Sequence, residues 1–349
     1  MKKRVVFLCG NRSKYGLAHL APTIREFSVD AIVIPDKERW RIFRESLVGE
    51  DDSLVEKSYL PRIKRTIARL VKFLDKPRTE LSSDKEVLKT PTAENNVPII
   101  VAHDVNSQNM LDKIRSFNPE LILCAAYPQI LSNQLISIAK DGAVNFHPSL
   151  LPKYRGAHPH FWCIARGETS GGVTAHFMTD VIDGGDIIEQ IPFEIKDVYY
   201  SELYDKIVQL TPNLVKNVAL FFESSSKKAF KQNENDATYF KNDREIHHRV
   251  FWNTMSSNDI YNLIRTEKAF CFFGDRRMNI LRANLKTMNR NMTNNVQVEP
   301  ATIIDIHRNG FVVSTIDTCY IEINGVSFRR MDVQELIRRE FIRIGVKLG

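Results

Sequence analysis

The sequence predicts an α/β protein, a doubly wound and mostly parallel sheet followed by a smaller, β-barrel-like C-terminal domain. Two observations carry this. Apolar β-branched runs alternate with helical patterns over residues 4–34 and again over 97–146, as a parallel sheet with crossover helices requires. Beyond residue 270 the runs become short and turn-separated, which suits a small antiparallel barrel.

Each element has its own warrant. The run at 4–9, the turn Gly10-Asn11-Arg12-Ser13, the helical spacing at 17–27 and the run at 31–34 form a βαβ unit. Residues 37–95 read as a charged insertion, with 14 Lys/Arg against 11 Asp/Glu. Within it, Leu60, Ile63, Ile67, Leu70, Val71 and Leu74 mark one face of an amphipathic helix over 59–74, and 77–96 is a polar stretch. Strands at 97–101, 121–126 and 143–146 alternate with helices at 107–117 and 133–139, and a helix over 201–222 closes this half. The boundary is expected near 225: residues 1–225 would be the catalytic domain, and 226–349 a linker, a helix at 257–266 and five or six short strands. Ligands of such a sheet bind at the carboxyl ends of its strands.

Composition narrows the class. With 349 residues, 43% hydrophobic and 26% charged, the chain has enough apolar sequence for one or two cores and too much for wholesale disorder. No apolar run approaches the roughly 18–20 residues of a membrane span. The run at 5–9 is shorter than a secretory core, so a cytoplasmic protein is expected, without membrane partners. Five scattered cysteines without a CxxC pair fit neither a disulfide framework nor a zinc cluster. Of the net charge of +7, residues 226–349 carry +6, from 20 Lys/Arg against 14 Asp/Glu. That basic half could hold an anionic partner or be a solvated surface.

The turn at 10–16 lacks GxGxxG, which argues against dinucleotide binding. Its backbone, with Gly10, Arg12, Ser13 and Lys14, could still receive a phosphate. The densest chemistry lies in 144–190. Period-two alternation puts Asn145 and His147 on one side of a strand, and 36 residues after His147 comes Asp183, followed by Gly184-Gly185. An amide and a protonated imidazole can donate to a developing oxyanion. A carboxylate can keep the imidazole charged or remove a proton from an attacking amine. His158 and His160 follow in the next loop, Asp186 is read as fixing the Asp183 loop, the His247-His248 pair as solvent-exposed and Trp162 as core.

Taken together, AAYPQIL at 125–131, NFHPSLLPKYRG at 145–156 and GVTAHFMTDVIDGGDII at 172–188 resemble the 10-formyltetrahydrofolate-dependent formyltransferases. This group includes methionyl-tRNA, glycinamide ribonucleotide and sugar N-formyltransferases. The resemblance implies formyl transfer to a primary amine, with Asn145, His147 and Asp183 as the catalytic residues and no metal. It places the folate contacts at Pro128, Gln129, Ile130 and Leu131, and at Thr179, Asp180, Val181 and Ile182. The segments 235–252, 260–270 and 329–349 resemble, more loosely, the small domain of the methionyl-tRNA and some sugar enzymes.

The acceptor is read as a phosphorylated small-molecule amine, an amino sugar carried on a nucleotide. HPHFW at 158–162 resembles the small-amine branch, with His158 a substrate contact. A domain carrying +6 without a lysine run is modest for gripping tRNA, and the turn from Gly10 to Lys14 suits a phosphate. The alternative is the aminoacyl end of initiator tRNA. A hydrolase using water as acceptor would employ the same three residues, and a non-catalytic sensor would have no need of them. A homodimer is left open.

Overall fold

The computed structural model describes residues 2–10, 13–36, 97–286, 298–317, 319–328, 331–339 and 341–349. The helix expected at 59–74, the polar stretch after it and Arg12 lie outside these residues.

The chain divides into two compact units whose segments interleave. The first comprises 1–157, 172–192 and 206–242; the second comprises 158–171, 193–205 and 243–349. The division therefore does not fall at a single cut near 225. Residues 226–242, expected to begin the C-terminal part, make their contacts within the first unit.

The main sheet has seven strands. In chain order they are β1 (Arg4–Cys9), β2 (Ser28–Pro35), β3 (Ile99–Ala102), β4 (Leu121–Ala125), β5 (Ala143–His147), β7 (Ser170–Phe177) and β8 (Ile187–Glu194); a short β6 (Arg155–Gly156) lies outside this sheet. Their spatial order is β3-β2-β1-β4-β5-β7-β8. The pairs β1/β2, β2/β3, β1/β4 and β4/β5 are parallel, whereas β5/β7 is antiparallel. Strand β4, LILCA, is buried at every position, which is why it reads as a continuous apolar run rather than an alternation. The sheet reverses its winding between β1 and β4, where a doubly wound fold opens its ligand crevice.

The helix expected over 17–27 is two helices, α1 (Lys14–Ala18) and α2 (Leu20–Glu26), meeting at His19. The second begins so that Pro22 falls in its first turn, where a missing N–H costs nothing. Helix α3 (Gln108–Ser116) packs Leu111 and Ile114 into the core, and α4 (Asn133–Ile136) is shorter than the pattern suggested. The first unit's remaining strand, β9 (Tyr239–Phe240), pairs in parallel with β6.

In the second unit, α5 (Pro159–Ala165) and α7 (Ser257–Arg265) accompany a five-stranded antiparallel sheet, and α6 (Tyr200–Glu223) begins here and continues into the first unit. The sheet strands are β10 (Phe270–Phe273), β11 (Arg276–Lys286), β12 (Ile303–His307), β13 (Gly310–Ser314) and β14 (Tyr320–Ser327), in the order β10-β11-β14-β13-β12. Register shifts around Arg282 bend the long β11 against β14. Phe161, Trp252, Ile264, Met278, Phe311 and Ile323 belong to one buried cluster that unites helices and sheet. A short helix, α8 (Val333–Arg338), adds Val333 and Leu336 to it.

Candidate active site

Strand β5 carries the first two candidate residues. Val144 and Phe146 are buried, while Asn145 and His147 project to the opposite face of the strand. The antiparallel register sets Asn145 opposite His176 and His147 opposite Thr174. Cross-strand partners share a face, so His176 joins the group: its Nε2 lies 3.2 Å from Asn145 Nδ2.

Asp183 arrives from the loop after β7. Its φ of +52° is a left-handed conformation that Asp tolerates better than bulkier residues. At Gly185 a Cβ would stand 2.0 Å from the carbonyl oxygen of Phe177, so only glycine lets the loop return this tightly. The Phe177 N–H donates to the backbone carbonyl of residue 186 at 2.9 Å, a contact that closes the loop through the main chain and not through the Asp186 carboxylate. Asp183 Oδ1 accepts from Asn145 Nδ2 at 3.3 Å and lies 3.4 Å from His176 Nε2. Oδ2 accepts the Gly156 N–H at 2.9 Å and stands 3.6 Å from His147 Nδ1.

These contacts assign hydrogen positions. His147 Nε2 is 2.9 Å from the Tyr154 carbonyl, which can only accept, so this nitrogen carries the proton of the neutral ring. Nδ1, facing the carboxylate, is then the position at which a proton comes and goes. His176 Nδ1 likewise donates to the Phe177 carbonyl at 2.8 Å, leaving Nε2 to accept from Asn145. Burial lowers the His147 pKa, against the opposing pull of the Asp183 charge. Burial alone would raise the Asp183 pKa, but the His147 imidazole, when charged, and the Gly156 N–H outweigh it and hold the carboxyl well below the usual carboxylate range.

The two loops expected to hold folate differ from the core around them. Pro128 and Leu131 are buried, but Ile130 is 72% exposed, Val181 51% and Ile182 39%. Thr179 and Asp180 are also exposed. Gln129 is occupied in bracing: its Oε1 accepts the Val105 N–H at 3.1 Å and its Nε2 donates to Asp104. Asn106 ties the same loop down through the Ile130 carbonyl and the Ser132 N–H.

The remaining candidates are placed elsewhere. A Cβ at Gly10 would stand 2.0 Å from the Ala126 carbonyl oxygen, so this glycine serves close packing. Ser13 caps α1, and Lys14 opens that five-residue helix. His158 lies in the second unit as the residue preceding α5, with φ +49°, and is bonded through Nδ1 to Asp243. The same buried carboxylate takes His248 Nε2 at 2.6 Å and Lys268 Nζ. His248 is thus a structural partner rather than a solvent-exposed residue, whereas His247 is exposed. Trp162 is half-buried and packs against the second unit's core.

The Formyl transferase family matches residues 63–218, and the Formyl transferase C-terminal domain matches residues 244–340. The methionyl-tRNA formyltransferase of Clostridioides difficile is 32% identical over 272 residues, 75% of this chain and 85% of that protein. The chain belongs to the formyltransferase family. A second methionyl-tRNA formyltransferase, from Acetivibrio thermocellus, is 30% identical over 302 residues, 83% of this chain and 94% of its own length. Among solved structures, the N-formyltransferase of Helicobacter canadensis in complex with folinic acid and dTDP-3-aminofucose superposes with a TM-score of 0.55 at 19% identity. It covers 93% of this chain and 99% of that one, a likeness of fold. This formyltransferase is accordingly an enzyme. Among the described residues no cluster of three or more His, Cys, Asp or Glu could hold a metal, and no helix is long and apolar enough to cross a membrane.

Sequence reasoning singled out Asn145, His147 and Asp183, which the structure brings together, but passed over His176, Tyr154 and Gly156 beside them. His176 becomes visible only once 173–178 is read as antiparallel to 143–147. The connection from 147 to 170 holds one short helix, α5, and that was the available signal. Tyr154 and Gly156 act through backbone atoms, which residue type does not reveal.

Proposed function

We propose that this enzyme transfers the formyl group of 10-formyltetrahydrofolate to the α-amino group of methionine on initiator tRNA, in the cytoplasm, using Asn145, His147 and Asp183. The observation that carries the chemistry is the position of Asp183 Oδ2, 3.6 Å from His147 Nδ1 while His147 Nε2 is held by Tyr154. As the amine nitrogen bonds to the formyl carbon, Nδ1 takes the proton the amine loses; the bond from that carbon to the donor nitrogen then breaks, and the proton leaves with tetrahydrofolate. Asp183 offsets the charge so created in a buried setting where water cannot. Asn145 Nδ2, now shared between Asp183 and His176, donates to the formyl oxygen as that oxygen gains charge.

Exposed aliphatic side chains at Ile130, Val181 and Ile182 support a donor site on these two loops. A flat heterocycle with apolar faces and polar edges suits such loops, where backbone groups supply the hydrogen bonds. Pro128 and Leu131 shape the first loop from beneath, and Gln129 fixes it. Thr179 and Asp180 lead into the turn that presents Val181 and Ile182.

The acceptor reading rests on the curated relatives, methionyl-tRNA formyltransferases whose similarity covers most of both chains, and it reverses the order given by the sequence. Two features that favoured a nucleotide-linked sugar have structural explanations: His158 is bound to Asp243, and Gly10 and Ser13 serve packing and capping. The test measures amine-dependent release of tetrahydrofolate with charged initiator tRNA and with a panel of dTDP-linked amino sugars. Preference for the tRNA by at least about 100-fold in kcat/KM, some 2.7 kcal/mol of transition-state stabilisation, is expected. Turnover with a sugar alone would return the acceptor to the sugar class.

A further inference from the structure

The segment 226–242, which follows α6 in the first unit, reads in sequence as a linker, but its side chains reach the backbone of the loop that carries Asp183. Gln232 is 9% exposed, and its Nε2 donates to two carbonyls on either side of Gly184, those of Asp183 and Gly185, each at 2.7 Å. Its amide orientation is fixed from the other end. Gln232 Oε1 accepts from Arg155 Nε at 3.1 Å and Nη2 at 2.9 Å, and Arg155, itself buried, forms a bidentate pair with Glu234. A flipped amide would set NH2 against guanidinium and oxygen against two carbonyls, so only one orientation is satisfied.

The strap is anchored on both sides of this contact. Phe230 and Ile187 exchange backbone hydrogen bonds at 2.8 and 3.0 Å. Further along, Thr238 receives the Arg155 N–H on its carbonyl and the Tyr154 N–H on its hydroxyl, each at 2.8 Å, and Phe240 stacks on the Tyr154 ring. Tyr154 supplies the carbonyl that fixes His147, and Gly156 supplies the N–H held by Asp183. A Cβ at Gly156 would meet the Phe240 carbonyl oxygen at 2.3 Å, so strap and site residues are in direct register.

We propose that Gln232 is a positioning residue for the formyl-transfer reaction, holding the Asp183 loop closed over Asn145 and His147 through its two amide hydrogens. The assignment rests on the catalytic role proposed for Asp183. The loop's left-handed residue and glycine pair do not by themselves define one conformation, and two hydrogen bonds from a locked amide remove the alternatives. A misplacement of about 1 Å at such a site costs on the order of 100-fold in rate.

The test compares Gln232→Glu, which keeps the shape and the Arg155 partner but loses both donors, with Gln232→Leu and Asp183→Asn in the full-length chain. Hydrogen–deuterium exchange of the peptide spanning 177–187 is read without substrates. Steady-state kinetics are read with 10-formyltetrahydrofolate and whichever amine the acceptor panel identifies. Both Gln232 variants are expected to keep their thermal midpoint, to exchange faster in this peptide, and to lose about 10- to 100-fold in kcat with donor KM changed by less than about threefold. Gln232→Glu should be no better than Gln232→Leu, a result that a packing role would not give. Exchange like the wild type in either folded variant, or wild-type kcat beside an inactive Asp183→Asn, overturns the role of Gln232 alone. Full activity of Asp183→Asn overturns the reading beneath it.

Discussion

Replacing Asp183 by Asn removes the carboxylate charge with little change in shape. Asn tolerates the φ of +52° at this position, and its carbonyl oxygen can still accept the Gly156 N–H. What is lost is the anion 3.6 Å from His147 Nδ1. At an effective dielectric of about 20, two unit charges at that distance attract by roughly 4–5 kcal/mol. The fraction realised in the transition state is comparable to the roughly 2.7–4 kcal/mol seen when one electrostatic element of such a site is removed. The expected result is a fall of about 100- to 1,000-fold in kcat/KM, with the thermal midpoint within a few degrees of the wild type. The pH profile supplies a second, signed readout. Burial already lowers the His147 pKa and Asp183 opposes that lowering, so removing the carboxylate lowers it further. The limb on which kcat/KM falls with acidification, as Nδ1 becomes protonated, should therefore move to lower pH. Activity within about threefold of the wild type, or a limb displaced to higher pH, would refute the pairing.

Three other outcomes follow from particular contacts. Ile130→Ser and Val181→Ser each remove an exposed aliphatic side chain from the proposed donor loops, and should raise the KM for 10-formyltetrahydrofolate by about tenfold or more with kcat little changed; an unchanged KM in both would move the donor elsewhere. His176→Leu removes the nitrogen that accepts from Asn145 and should lower kcat about tenfold, roughly 1–2 kcal/mol; equal kcat would reduce His176 to packing. His19 is fully buried, donates through Nδ1 to the Tyr15 carbonyl, and has its pKa pulled down to about 4 by burial. A depressed folded-state pKa gives stability that is present above the unfolded value near 6.5 and is lost as pH falls toward 4. Urea denaturation should show a loss of about 2–3 kcal/mol between pH 7.5 and 4.5 from this group, absent in His19→Leu. An unaltered pH dependence in that variant would contradict it.

Periodicity made the first half of the fold legible because parallel strands such as β4 are apolar along their whole length and helices such as α3 keep a buried stripe. It also brought Asn145 and His147 to one face, since alternation along a strand does not depend on what lies beside it. The break at His19 was signalled by Pro22 but not read. Long-range pairing was harder to see. That β7 runs antiparallel to β5, which brings His176 to Asn145, depends on a connection rather than on either strand's composition. The segment 226–242 looks polar and linker-like because Gln232 and Glu234 are polar, yet Gln232 is buried by satisfying backbone carbonyls that leave no trace in the sequence. The sequence also favoured a sugar acceptor from HPHFW and the Gly10 turn. Both are local features, which the fold uses for a hydrogen bond from His158 to the buried Asp243 and for close packing against Ala126.

The most direct test supplies isotopically labelled 10-formyltetrahydrofolate and charged initiator tRNA to the wild type and to His147→Ala, and locates the label by mass spectrometry. The account predicts label on the methionyl nitrogen, tetrahydrofolate release that requires the amine, and a loss of at least about 100-fold in His147→Ala with the fold intact. Label released as formate at the same rate without any amine, or full transfer by His147→Ala, would contradict it.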